Sequence, residues 1–346
     1  MLLNKAIITV CLSGLLFGCQ ASTSQNTSKV APPPVEIVTG DAHLEQRLDV
    51  QSFIKMMVTK HGFNEKYLQD IFTKTRSQPK IIAAISRPAE KSKTWGEYRP
   101  IFMTQKRIAD GVLFYKNNEA DLKRAEQQYG VNAETIVAII GVETSYGANK
   151  GNWRVIDALS TLAFNYPKRA DFFVKELEHF LIIVRENSAD PFSYTGSYAG
   201  AMGLPQFMPS SYRNFAVDFN GDHKRDLWNN KSDAIGSVAN YLAKNGWSRG
   251  GSIALQVKAS PNASIAKVTH DGSIKAPYNS VAELIKAGVV TTANPNGKAL
   301  LLKFENTSGL EYWFGFQNFY SITRYNRSPL YALAVYQLGQ AIKQAL

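Results

Sequence analysis

Residues 133–146 read Ala133-Glu-Thr-Ile-Val-Ala-Ile-Ile-Gly-Val-Glu143-Thr-Ser-Tyr146. Apolar side chains at three- and four-residue spacing predict a helix over this stretch. Asn132 is placed to cap its start, and Gly147 stands where a helix-ending residue is expected. Ile136, Ile139 and Ile140 form the stripe that would face a core, and counting on by three or four lands on Glu143. An acid on the apolar face, in the last helical turn, is destabilised in its charged form twice over. Burial disfavours the carboxylate, and so does the negative end of the helix dipole. A carboxyl kept protonated near neutral pH is what a general acid requires. A structural glutamate, satisfied by an arginine or by backbone, would give the same spacing.

Two further stretches carry unusual chemistry. Gly196-Ser-Tyr-Ala-Gly-Ala-Met-Gly-Leu-Pro-Gln-Phe-Met-Pro-Ser-Ser-Tyr212 is dense in small residues and hydroxyls, with one amide at Gln206. Such a loop lets a polymer approach the backbone closely; it would equally suit tight helix packing. Asn318-Phe-Tyr-Ser-Ile-Thr-Arg-Tyr-Asn-Arg-Ser-Pro-Leu-Tyr331 lies near the carboxyl end. Together with Gly141–Gly147, these stretches resemble the membrane-bound lytic murein transglycosylase B family, and the likeness runs over residues 44–346.

The resemblance implies a goose-lysozyme-like helical core flanked by a helical domain and a small β domain. It also implies cleavage of the β-1,4 bond from N-acetylmuramic acid to N-acetylglucosamine in peptidoglycan, leaving 1,6-anhydromuramic ends. One carboxylate suffices for that chemistry, and the matching position is Glu143. Positions matching the family's groove are Tyr98, Ser197, Tyr198, Gln206, Tyr241, Tyr325, Asn326 and Tyr331, with Lys168 and Arg169 as a basic pair suited to peptide carboxylates. No cofactor is implied for catalysis. A hydrolytic muramidase and a catalytically silent peptidoglycan-binding lipoprotein are the alternative readings.

Asp218-Phe-Asn220-Gly-Asp222-His-Lys224 offers oxygen ligands at positions 1, 3 and 5 and a backbone carbonyl at 7, as a calcium-binding EF-hand loop does. His223 replaces the usual glycine and Asn229 the usual final glutamate. The resembling family has a longer loop closed by an acid before the next helix, which here is Asp233. Structural calcium is the reading, with a solvated turn as the plain alternative.

The chain has 346 residues, of which 45% are hydrophobic and 19% charged. That is globular composition. Thirty-nine basic minus 28 acidic residues give a formal charge of +11, which favours an anionic partner. The charges are scattered, with no basic run of the kind that binds nucleic acid. Only Cys11 and Cys19 could form a disulfide, and both lie in the first 20 residues. Residues 1–18 follow a signal-peptide layout, with Lys5 before an apolar run too short for the roughly 20 residues that cross a bilayer. The run ends Leu16-Phe-Gly-Cys19, which resembles the bacterial lipobox, so Cys19 is expected to carry lipid. An ordinary secretory signal is the alternative. Residues 19–43, polar and then Pro32-Pro-Pro34, read as a disordered tether. An outer-membrane lipoprotein facing the periplasm follows, with glycan strands, the membrane and other cell-wall enzymes as partners.

The fold class is mainly α, as an α+β chain with a small β-containing insertion. Helical spacing (Phe53, Met56, Met57) marks residues 44–130, with Pro79, Pro88 and Pro100 as breaks. A lysozyme-like catalytic core is expected over 131–250. Strand signals at Ile253–Val257, Ala299–Phe304 and Tyr312–Phe314, with a short helix near Val281–Ala287, mark 251–317. Residues 318–346 return to helix and to the core.

Overall fold

A computed structural model describes residues 43–86, 93–271, 274–293 and 295–346. The signal segment, Cys19, nearly all of the tether, Pro88 and Asn294 lie outside the described residues.

Six helices come first: α1 (Leu48–His61), α2 (Glu65–Lys74), α3 (Pro79–Ile85), α4 (Trp95–Phe102), α5 (Gln105–Asn117) and α6 (Glu119–Tyr129). Their starts are set by short polar side chains. Asn64 accepts from the Tyr67 N–H, Thr104 accepts from the Arg107 N–H, and Thr94 with Glu97 forms a reciprocal capping box. Pro79 opens α3 instead of ending a run, and Pro100 lies inside α4.

Then come α7 (Ala133–Thr144), α8 (Val155–Asn165), α9 (Ala170–Glu186), α10 (Pro209–Phe215) and α11 (Lys231–Lys244). Helix α7 packs against α5, α6, α11 and α15 (Pro329–Gln344). It is buried on every side from Ala133 to Gly141, so the stripe expected from its spacing is in fact a whole buried cylinder. Each fully buried Ile along it removes enough apolar surface to favour folding by about 1.5–3 kcal/mol. Asn132 makes no side-chain cap, and the helix stops two residues earlier than Tyr146.

The strands β1 (Trp153–Arg154) and β2 (Thr195–Gly196) pair as a short antiparallel ribbon. The second sheet holds β3 (Ala254–Val257), β4 (Asn279–Ser280), β5 (Lys298–Asn306) and β6 (Gly309–Gly315), in the antiparallel order β3-β6-β5-β4. Helices α12 (Ala263–Val268) and α13 (Val281–Lys286) accompany it; α12 left no clear signal in the sequence. Strand β5 reads as a continuous apolar run because both faces are covered. Leu300, Leu302 and Phe304 join the main core, while Ala299 and Leu301 join a smaller one with Ile265, Val281, Leu284 and Phe314. Helix α14 (Gln317–Tyr325) and α15 lead the chain back, and the main core runs from Leu44 to Ile342. The architecture is thus mainly helical with a small sheet. Among the described residues, no helix is long and apolar enough to cross a membrane.

Candidate active site

Glu143 stands half-buried in the last turn of α7. The chain leaves that turn through Ser145 (φ 50°) and Tyr146 (φ 61°), two consecutive non-glycine residues in the left-handed region. Each costs roughly 1–2 kcal/mol, so the surroundings must hold them there. They do. The Ser145 N–H reaches Gly141 O at 3.0 Å and the Tyr146 N–H reaches Ile140 O at 3.3 Å. The Tyr146 hydroxyl donates to Arg107 O at 2.9 Å, and the Arg107 guanidinium donates to Gly141 O. The Tyr146 ring lies where a side chain at residue 141 would be, 2.6 Å from an ideal Cβ, which is why glycine occupies that position. Ser145, not Gly147, therefore ends the helix.

The loop from Gly196 to Phe207 folds against this turn. The Thr144 hydroxyl lies 3.1 Å from Leu204 O and 3.1 Å from Ile140 O, and accepts from the Gly147 N–H. Within the loop, the Ser197 Oγ accepts from the Ala199 and Ala201 N–H groups. The Gln206 amide donates to Lys150 O at 3.1 Å and to Gly203 O at 2.9 Å. A Cβ at Gly196 would sit 2.2 Å from Ala201 O, so the tight fold admits only glycine there.

The α14–α15 junction supplies the third side. Tyr331, buried, donates its hydroxyl to Glu143 Oε1 at 2.6 Å. Tyr325 lies 6.5 Å from it with rings 11° apart, and donates to Pro205 O. Tyr241 packs on Phe207, Phe215 and Tyr325 at 5.5, 4.7 and 4.8 Å, and donates to Arg324 O at 2.6 Å. Burial first, and then the Glu143 carboxylate, push the Tyr325 and Tyr331 hydroxyls well above the ordinary phenol range. Burial takes Tyr241 up to about 12. All three remain proton donors at any physiological pH.

The structure thus joins Glu143, the 196–207 loop, Tyr241, Tyr325 and Tyr331 through direct contacts. Several groups expected to meet sugar directly already hold the protein: Ser197, Gln206, Tyr241 and Tyr325 bond to backbone. Asn326 forms the turn into α15, its carbonyl accepting from the Ser328 N–H. Tyr198 is exposed on the loop. Tyr98 is buried against the rings of Trp95 and Phe102. Lys168 and Arg169 sit exposed between α8 and α9, with Arg169 4.3 Å over the Phe172 ring. That is the end of α8 away from the β1–β2 ribbon, roughly 16 Å along an 11-residue helix. Arg107 and Thr144 were not singled out from sequence. Arg107 carried no signal, since it lies in a different helix; Thr144 stood in the motif without an assigned role.

In the 218–233 loop every carboxylate is engaged by backbone. Asp218 accepts from the Gly221, Asp222 and His223 N–H groups, and Asp222 from Lys224 N–H and the Asn220 amide. Asp233, buried in the first turn of α11, accepts from Phe219, Asn220 and Asp226 N–H groups. His223 takes the left-handed turn (φ 67°) that a glycine usually makes. Among the described residues, no three His, Cys, Asp or Glu side chains converge as a metal site. The donors are nevertheless all oxygen, the chemistry calcium takes, although Asp218 Oδ1 and Asp233 Oδ1 each already accept two backbone N–H groups.

Residues 45–340 match the family described as Transglycosylase SLT domain. The chain belongs to this family. It is an enzyme, a lytic transglycosylase, as its relatives are. Membrane-bound lytic murein transglycosylase B of Escherichia coli K12 is 43% identical over 313 residues, covering 86% of this chain and 83% of that protein. The crystal structure of soluble lytic transglycosylase SltB1 of Pseudomonas aeruginosa superposes with a TM-score of 0.81 at 49% identity, over 86% of this chain and 99% of that one. Escherichia coli Slt35, solved in complex with calcium, gives 0.79 at 42% identity, over 87% and 94%.

Proposed function

We propose that Glu143 is the single acid–base group with which this lytic transglycosylase cuts the β-1,4 bond between N-acetylmuramic acid and N-acetylglucosamine in peptidoglycan. The observation that carries this reading is the Tyr331 hydroxyl on Glu143 Oε1, which fixes the carboxyl beside the 196–207 loop. Glu143 gives its proton to the glycosidic oxygen as the bond from C1 breaks, and the electron pair leaves with the N-acetylglucosamine O4. The muramic N-acetyl group stabilises the positive centre at C1. The muramic O6 hydroxyl then attacks C1 and returns its proton to Glu143. No water is consumed, and the 1,6-anhydro ring closes. Tyr241, Tyr325 and Tyr331 form the packed aromatic wall of the groove beside Glu143, and loop backbone at Ser197, Tyr198 and Gln206 meets N-acetyl groups and hydroxyls. Asn326 joins them, with Tyr98 as backing. Lys168 and Arg169 meet peptide carboxylates farther along the strand.

Replacing Glu143 by Gln keeps size and hydrogen bonding but removes the exchangeable proton. Sacculus digestion by the Glu143→Gln protein falls by at least the 10²–10⁴-fold typical of a lost general acid, because one group serves both halves of the reaction. Binding to sacculi and melting temperature stay near wild type. Release of anhydro-muropeptides at the wild-type rate would exclude Glu143. Reducing ends in the wild-type products would make the enzyme a hydrolytic muramidase.

Two further assignments accompany the activity. Asp218, Asn220, Asp222, the Lys224 carbonyl and Asp233 hold a structural calcium ion, supported by the calcium complex of Slt35 and the all-oxygen donor set. The ion would tie the loop to α11 and takes no part in the chemistry. Cys19 carries the lipid that places the enzyme at the outer membrane facing the periplasm, supported by the Leu16–Cys19 sequence and by a relative named as membrane-bound.

A further inference from the structure

Behind the 196–207 loop lies a cavity of about 880 Å³ that contains neither Glu143 nor Tyr331 in its lining. Its wall is shared with the loop. Lys150 lines it and accepts the Gln206 amide on its carbonyl; Thr195 lines it, starts β2, and accepts from Trp228 Nε1 at 2.8 Å. Lys150 Nζ in turn donates to Trp228 O at 2.8 Å, leaving two of its three hydrogens for other acceptors. Trp228 and Tyr194, ring centroids 5.0 Å apart, give an apolar surface.

The charges decide what fits. Of the two lining acids, Glu186 is paired with Arg213 at 3.2 Å and Arg225 at 3.6 Å, while Asp226 is turned to the Trp228 and Asn229 N–H groups and keeps its single charge. Lys150 and the exposed Lys224 leave a net positive mouth. Neutral sugar has no use for two ammonium groups, whereas a peptide bearing carboxylates does. The volume lies within the range of small-ligand sites, large enough for a few residues.

We propose that this cavity binds the carboxylate-bearing stem peptide of peptidoglycan, so that the loop lining the cutting groove is held from behind by the strand's own side branch. The inference rests on the function proposed above. Stem tetrapeptide released from sacculi by an amidase, titrated into the full-length protein by calorimetry, tests it, with peptide-free chitotetraose as the comparison. Saturable peptide binding is expected, weakening as salt rises. Lys150→Gln combined with Lys224→Gln weakens it about tenfold, in line with loss of charge-assisted bonds. Because Lys150 also braces Trp228, Lys224→Gln alone is the second variant, compared with wild type at the same saturating calcium; it weakens binding severalfold with the circular-dichroism spectrum unchanged. Absence of saturable binding, or binding indifferent to all these variants, overturns the proposal. Equal loss of chitotetraose binding in the same variants makes the cavity a sugar site and overturns it too. Binding is read without cleavage. An inactive enzyme that still binds the peptide therefore refutes the activity alone, and an active one that does not refutes this inference alone.

Discussion

Tyr331 is the residue on which the acid's orientation depends. Its hydroxyl holds Glu143 Oε1, and its ring is buried, so Tyr331→Phe removes one hydrogen bond and almost nothing else. A hydrogen bond to a charged group contributes about 1.5–3 kcal/mol, which converts to roughly 10–150-fold in rate if it is made in the transition state. We expect Tyr331→Phe to lower kcat on sacculi within that range with KM and melting temperature little changed. A wild-type kcat would make the hydroxyl a packing detail. Glu143 was legible in the sequence because helical spacing is local. Its pairing with Tyr331 was not, because the two are 188 positions apart and nothing along the chain encodes that distance closing.

At the scale of elements, strands β5 and β6 and helices α13 and α15 were legible from apolar pattern and turn residues. Helix α7 was only half legible. Its periodicity gave the right element, but an all-round burial leaves no polar face to set against a stripe, and its end lies at two strained residues with no sequence signature. Tyr241, Tyr325 and Gln206 stood out in the sequence as groove candidates, yet their hydrogen bonds go to backbone carbonyls that sequence cannot locate. The 218–233 loop is an element held by its own carboxylates. Calcium at 100-fold over its Kd would stabilise the fold by about 2.7 kcal/mol, a rise of roughly 4 °C in melting temperature for a folded part of this size. Chelation should reverse it, and Asp218→Ala with Asp222→Ala should abolish the calcium-dependent part. A melting curve indifferent to both calcium and chelator would leave the loop a plain turn.

For the whole molecule, a formal charge of +11 suits an enzyme working on an acidic wall, and the anchor proposed at Cys19 would fix where it works. Cys19→Ala should move the protein from the outer-membrane fraction to the soluble periplasm while purified enzyme keeps wild-type digestion of sacculi. Finding the unaltered protein soluble and cleaved away from Cys19 would remove the anchor. The tie between Glu143 and Tyr331 also sets an order of events. Chains are made, and exported, amino end first. The glutamate thus emerges early, while its tyrosine is still unmade. Only when the final helix docks does the carboxyl take its working posture. With Glu143 as the acid proposed above, a wall-cutting protein is thereby blunt while it is being made, and gains its edge as the last piece of chain arrives.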